Sequence, residues 1–254
     1  MLGVGRRGKG EGEGRGMGNG DGFTEITLSP LGPKPRRKLI TPAWKYLRGA
    51  HASVQGIFEG MSLVRRARAE AREEFRGRLA MDEENLLRAA IVFTSSGLDA
   101  CCKRLVRDTV ALLVEENEAA ARKFDEYVRQ QLAGGPSETF SAAIRSKAPR
   151  TEMIGLYVAA RTSASMQGSG DLRRRVRDTL GIPNATVPQQ RLALLDPFFT
   201  ARNHIVHEMD YENPNSTGTR RHQRTMDWVR AQCDDVFAVA QDLISGAAAN
   251  LPRG

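Results

Sequence analysis

The chain has 254 residues, 40% hydrophobic content and a formal charge of +8, which allows one substantial core plus an arm. No apolar run approaches membrane-spanning length and no apolar h-region opens the chain, so neither a membrane-spanning helix nor a secretory signal is expected. Cys101 and Cys102 are adjacent and Cys233 is remote, a spacing that suits no metal and cannot pair all three. The expectation is three buried small side chains in a reduced, cytoplasmic protein.

From residue 8 to residue 22 Gly occupies every even position, and such a composition cannot bury enough apolar area to offset the entropy of ordering. Residues 1–39 are read as a Gly/Arg-rich tail, disordered to about residue 36. The tail carries eight Lys or Arg against four acids, half of the basic excess. An RNA-binding tail is the sharp reading. The alternation of acids with bases and the absence of aromatics before Phe23 favour a linker, or an over-extended start ahead of Met17. The chain holds 31 Arg and 7 Lys. Arg suits bidentate phosphate contact, but a skew this uniform also follows from a GC-rich genome.

Pro30, Pro33 and Pro35 punctuate the exit from the tail, and Thr41-Pro42 offers an N-cap with Pro at the first helical position. The helix predicted there forms an arm over residues 40–80. It carries Trp44, Leu47 and His51 on one face, weakens near Gly56 and Gly60, and continues as a charged helix from Arg65 to Leu79. There Glu70, Glu73 and Glu74 stand three or four residues from Arg66, Arg76 and Arg78, which predicts a self-paired, solvated face. His51 is read as a packing or surface residue.

Asp82, with Glu83 and Glu84 in the first turn, opens the main domain, residues 82–249. Leu87, Ile91, Thr94, Leu98, Cys101, Leu105, Thr109 and Leu112 recur at steps of three and four and form one apolar face. Beside it Ser95 and Asp99 stand one turn apart, flanked by Ser96 and Lys103. Further helices are predicted over 118–132 and 137–146, divided by Gly134-Gly135-Pro136, and another after Pro149 through Met153, Leu156, Tyr157 and Ala160. The two Gly of the Gln167–Asp171 loop lack the strand and the Lys-Ser/Thr ending of a phosphate loop. Asp171 is read as the cap of a helix carrying Leu172, Val176 and Leu180 and stopped by Gly181. Arg173, Arg174, Arg175 and Arg177 sit opposite that apolar face, a basic run suited to RNA phosphates or simply to solvent. Arg173, Arg174 and Arg177, with Lys103, are the candidate RNA contacts. A last helix carries Met226, Val229, Cys233, Val236, Phe237, Ala240, Leu243 and Ile244. No stretch combines strand alternation with turn signals, so the fold expected is all-α.

Ahead of that last helix, Asp196 as N-cap and Pro197 as first helical residue start a segment with Phe198, Phe199, Ile205, Val206 and Met209 as its apolar contacts. Between Ala201 and Asp210 it gathers Arg202, Asn203 and two of the chain's four His. Asn203 and His207 share a face. Arg202 and His207 lie about 140° apart around the axis, so an isolated helix does not present them as a pair. Convergence calls for a helix end, a kink or a second copy across a two-fold axis. His204, His207 and an acid such as Asp210 could begin a zinc site, but H-x-x-H lacks the Glu of the metalloprotease helix, and no metal is expected.

Arg202, four intervening residues and His207, with Asn203 directly after the Arg, resembles the R-x4-6-H signature of HEPN-domain proteins, all-α modules many of which are metal-independent ribonucleases. Asp82 to Glu116 resembles the family's long opening helix, and Asp171 to Ile182 its short helix ending in Leu-Gly-Ile, in the family's order. The resemblance implies an antiparallel helical bundle and a homodimer whose motif helices face each other over a cleft. It implies that His207 acts as general acid or base, that Arg202 stabilises charge on the reacting phosphorus, that Asn203 orients phosphate or imidazole, and that Asp99 faces the motif from the opening helix. RNA would be cut without a cofactor, leaving a 2′,3′-cyclic phosphate and a 5′-hydroxyl. The family's use as toxins or anti-phage effectors implies an antitoxin or regulatory partner. Competing expectations are a non-catalytic HEPN-like module that dimerises or docks a partner, and a helical domain whose Arg and His only satisfy internal hydrogen bonds.

Overall fold

The computed structural model describes residues 25–72 and 79–252. The Gly-rich run and the pairing expected of Glu73, Glu74, Arg76 and Arg78 lie outside the described residues. In chain order the helices are α1 (Thr41–Arg72), α2 (Met81–Glu116), α3 (Glu118–Ala133), α4 (Glu138–Ile144), α5 (Pro149–Thr162), α6 (Ser169–Asp171, running on as a π-helical turn Leu172–Arg177), α7 (Gln189–Ala193), α8 (Asp196–Glu208) and α9 (Met226–Asn250). Among the described residues the sole β pairing is one antiparallel bridge between Tyr211 and Arg221, and the fold is all-α. No helix among them is long and apolar enough to cross a membrane.

α1 and α2 form an antiparallel hairpin. Near its linker, Arg68 pairs with Asp82 at 2.7 Å and Glu83 at 3.2 Å, and the guanidinium holds the Asp82 carboxyl below its usual range. Glu83 also accepts the Ala80 N–H, satisfying one orphan donor of the helix start. Midway, Gly97 lets the helices touch, since a Cβ there would stand 2.2 Å from the Ala50 Cβ. α9 runs antiparallel to α1: Arg65 meets Met226, His51 packs edge-on against Phe237, and Arg37 reaches Ala248. Ile40, Leu47, Val54, Phe58 and Met61 of this side meet Leu87, Ile91, Leu98 and Leu105 of α2 and Val229, Val236, Ala240 and Leu243 of α9 in one buried core. Each set recurs at helical spacing, so each helix contributes one stripe. Cys101, Cys102 and Cys233 are free and buried within it. Burial pushes the Cys101 and Cys233 thiols up to about 12 and the Cys102 thiol well above its ordinary value, so none offers a thiolate nucleophile at neutral pH.

Two expectations are corrected here. α1 does not weaken at Gly56 or Gly60. A helix-interior Gly costs about 1 kcal/mol, which the burial of Val54, Phe58 and Met61 around them offsets, at roughly 1.5–3 kcal/mol per large side chain. Its stripe packs into the core it shares with α2 and α9. The tail is ordered well before residue 36. From Glu25 the chain lies extended in the groove between α1 and α9, with Ile26 and Leu28 buried. Lacking a strand neighbour, its backbone N–H groups find side chains: Leu28 donates to Gln55 at 2.9 Å, Ser29 to Asp234 at 2.8 Å and Gly32 to Gln241 at 3.0 Å.

A second group of helices packs on the far half of α2. Phe124, Tyr127, Phe140 and Tyr157 from α3, α4 and α5 join in edge-on and tilted ring contacts. Asn117 caps α3 by accepting from Ala119 and Ala120 at 3.1 and 3.0 Å. Gly181, at φ 63°, stops the chain after the π turn, and a Cβ on it would lie 2.3 Å from the same Asn117 Oδ1. Gly181→Ala should therefore lower the unfolding free energy by about 1–3 kcal/mol, from left-handed backbone and a displaced cap together. Urea unfolding measures it, and an unchanged midpoint would mean that the two segments do not pack this way.

Candidate functional site

α8 is fixed at both ends. Its start differs by one residue from expectation: Leu195 flanks the helix, Asp196 and Pro197 lie within its first turn, and Asp196 makes no cap bond. Its carboxylate accepts instead from Ser169 N at 3.3 Å, tying α8 to α6. Phe198, Phe199 and Ala201 are buried and seat the helix on α2. At the other end Met209 and Asp210 both adopt left-handed backbone, at φ 52° and 62°, and Asp210 N donates to His204 O. Two such non-Gly residues in succession cost roughly 1–2 kcal/mol each. The Asp210 carboxylate holds them. Fully buried, it accepts from Arg88 Nε at 2.9 Å and from Arg224 at 2.6 and 3.3 Å. Arg88 also donates to His222 O, and His222 N donates to Asp210 O, so the chain folds back on α2 directly after the motif.

On this anchored helix Arg202 Nη1 donates to Asn203 Oδ1 at 2.9 Å. The bond does not join Arg202 to His207, and their offset of about 140° along one helix is unchanged. The long Arg side chain is drawn toward Asn203, which shares a face with His207. His207 is exposed, as are its neighbours Val206 and Met209, at 43% and 60%. The last turn of α8 is an open surface with an imidazole between two apolar side chains.

The other candidates are engaged elsewhere. Asp99 accepts from Met166 N at 2.9 Å and pairs with Lys103 at 2.7 Å. No hydrogen bond joins it to Arg202, Asn203 or His207. Lys103 is correspondingly not free for phosphate. Arg177 is a correction: it is buried, donating to Asp178, Asn184 and Val187 O. Arg175 likewise turns inward onto the carbonyls of Arg161, Ala164 and Ser165. The cause is the π-helical turn, in which Asp178 N bonds back to Arg173 O and the facing of the run no longer follows the α-helical period. Arg173 and Arg174 stay outward, the first beside Gln189 and the second paired with Asp171. Asp171 does not cap this segment: it is the last residue of α6 and accepts from Gln167 N.

Sequence reasoning missed the cluster under the motif. The His204 and His222 rings stack at 4.9 Å with planes 12° apart, and with Asp210 they place ligand atoms within 4.8 Å of one another. This is not the His204, His207 and Asp210 set that H-x-x-H suggested. It also fits a cation poorly. The Asp210 charge is taken up by two guanidiniums that would stand beside the metal, and stacked imidazoles aim their in-plane lone pairs along parallel planes, not toward one point. No spacing in the chain links residues 88, 210, 222 and 224, and the hint available was an acid directly after a His-rich helix.

No family model matches the chain, and no curated protein or solved structure matches it either.

Asp210→Asn should cost about 3–5 kcal/mol of stability, because among the described residues it takes the only carboxylate from Arg224 and leaves Arg88 with Glu84 alone, at 3.4 Å. Chemical denaturation of both proteins gives the difference. The same curves in excess EDTA should coincide with those without it, and a chelator-dependent drop would assign a metal to the His204–His222 pair.

Proposed function

We propose that this chain is a HEPN-type endoribonuclease that works as a homodimer in the cytoplasm and cuts RNA without a metal. The observation that carries the reading is the Arg202–Asn203 bond at 2.9 Å on the face that also presents exposed His207. These three groups suit transfer within RNA. His207 removes the proton of a 2′-hydroxyl as general base, its exposed imidazole being able to reach a bound strand. The 2′-oxygen attacks the adjacent phosphorus, forming the P–O2′ bond as the P–O5′ bond breaks. Arg202 keeps N–H donors free of Asn203 for the non-bridging oxygens as charge develops there. His207 of the partner subunit protonates the departing 5′-oxygen. The products are a 2′,3′-cyclic phosphate and a 5′-hydroxyl.

Val206 and Met209 support the dimer, because a facing copy of α8 would cover them and bring in the second imidazole. The same exposure favours the runner-up, a non-catalytic module that docks a partner through α8. A toxin or anti-phage role, restrained by an antitoxin or regulatory protein, rests on the family resemblance alone.

His207→Ala and Arg202→Ala should each lower RNA cleavage in EDTA by about 10² to 10⁴ with unchanged far-UV circular dichroism. His204→Ala should instead lower stability through its lost ring contact and leave the chemistry close to wild type. End-group analysis is the readout. 3′-hydroxyl products, or cleavage that survives His207→Ala, would remove the mechanism, and no cleavage at all with α8-dependent dimerisation intact would favour the docking module.

Sedimentation should give a dimer at micromolar concentration, dissociated by Val206→Asp. A monomeric wild type that cleaves at full rate would eliminate the composite site.

A further inference from the structure

The seam between α1 and α2 carries a feature that the motif does not use. A groove of about 790 Å³ opens there, floored by Gly49, Ala50, Ser53, Ser96 and Gly97 and walled by Tyr46 and Phe93. Both rings stand half in solvent, at 49% and 52% exposure. Its basic lining residues are Lys45 and Arg104, and no lining residue is acidic. Lys45 is exposed and makes no hydrogen bond or ion pair among the described residues. Arg104 shares its charge with Asp108 at 2.8 Å but keeps 44% of its side chain exposed. Lys34 adds a third cation at the rim, donating to Thr41 at 3.0 Å.

We infer that this groove binds single-stranded RNA, with bases on Tyr46 and Phe93 and phosphates on Lys45, Arg104 and Lys34. It rests on the ribonuclease reading only in making RNA the polymer delivered to α8. Exposed rings beside basic side chains form the platform that single strands use, since every base has a face to stack and every step a phosphate to neutralise. A second copy fits less well, because a two-fold contact here would set one basic rim against the other. A partner helix also fits less well, because the small-residue floor offers no deep socket for a large apolar anchor. At about 100° per residue, Phe93, Gly97 and Arg104 lie about 160° around α2 from Arg88, which marks the side that meets the end of α8, and exposed Ser96 lies between them. A strand held in the groove therefore has to cross the Ser96 strip of α2 to reach the motif.

The test is fluorescence anisotropy of the full chain with a labelled 2′-O-methyl oligonucleotide of about twelve residues, a length within the usual site size. Lacking a free 2′-hydroxyl, the probe binds without being cut, so its result is independent of the cleavage chemistry. Tyr46→Ala and Phe93→Ala should each weaken binding about tenfold, Lys45→Glu should flatten its salt dependence, and a 4-thiouridine probe should crosslink to the peptides holding Tyr46 or Phe93. Circular dichroism checks folding, and both rings are exposed enough to be removed without opening the core. Absent binding by wild type, or variants that bind as wild type does, would overturn the assignment. So would variants that turn a dimer into a monomer at unchanged RNA affinity, which would give the groove to a second copy. Binding that behaves as expected, with no cleavage of ordinary RNA, would remove the ribonuclease reading and leave the groove.

Discussion

A single buried carboxylate holds the C-terminal end of α8 in place. Asp210 is wholly enclosed and is met by Arg88 from α2 and by Arg224 from the approach to α9. Burying ions is costly, and such pairs often add little net stability against an apolar replacement. What this pair supplies is position. It holds two successive left-handed residues that the chain would otherwise avoid, and thereby fixes where α8 stops and which way its last turn faces. Every property assigned to Arg202, Asn203 and His207 depends on that orientation, although none of the three hydrogen-bonds Asp210 through its side chain.

The division of labour along α8 follows from the same constraint. Its first half is fixed by apolar contact through Phe198, Phe199 and Ala201, which set depth but tolerate sliding. Its last turn is fixed by directional bonds, which do not. Polar side chains on the final turn can then stay exposed without the turn fraying, and a surface of this kind can meet a charged polymer or a second protein at little reorganisation cost.

Legibility from the sequence followed the range of the interaction. The helical content, the α2 and α9 stripes and the stop at Gly181 are local patterns of period and propensity, and the structure has them where the residues put them. How deeply α1 enters the core was not legible, because a narrow stripe on a charged helix looks the same whether it covers a domain or completes its core. Segment 25–37 was not legible either. Its partners, Gln55, Asp234, Gln241 and the Ala248 carbonyl, are side chains and a backbone group far along the chain, and no extended-strand alternation announces them. At the site, the Arg202 to His207 spacing was readable while the direction of Arg202 was not, since a one-residue neighbour, Asn203, captures it. The inward turn of Arg175 and Arg177 depended on a π turn that has no simple residue signature.

The seat of segment 25–37 in the α1–α9 groove also orders events in time. One wall of that groove is α9, and contacts such as Ser29 with Asp234 span 205 positions. During synthesis α1 and α2 can pair as soon as both have emerged, whereas Ile26 and Leu28 cannot be covered on their α9 side until that helix has been made. Segment 25–37 is thus made well before its partner and settles after it, a long-range closure of the kind that slows folding.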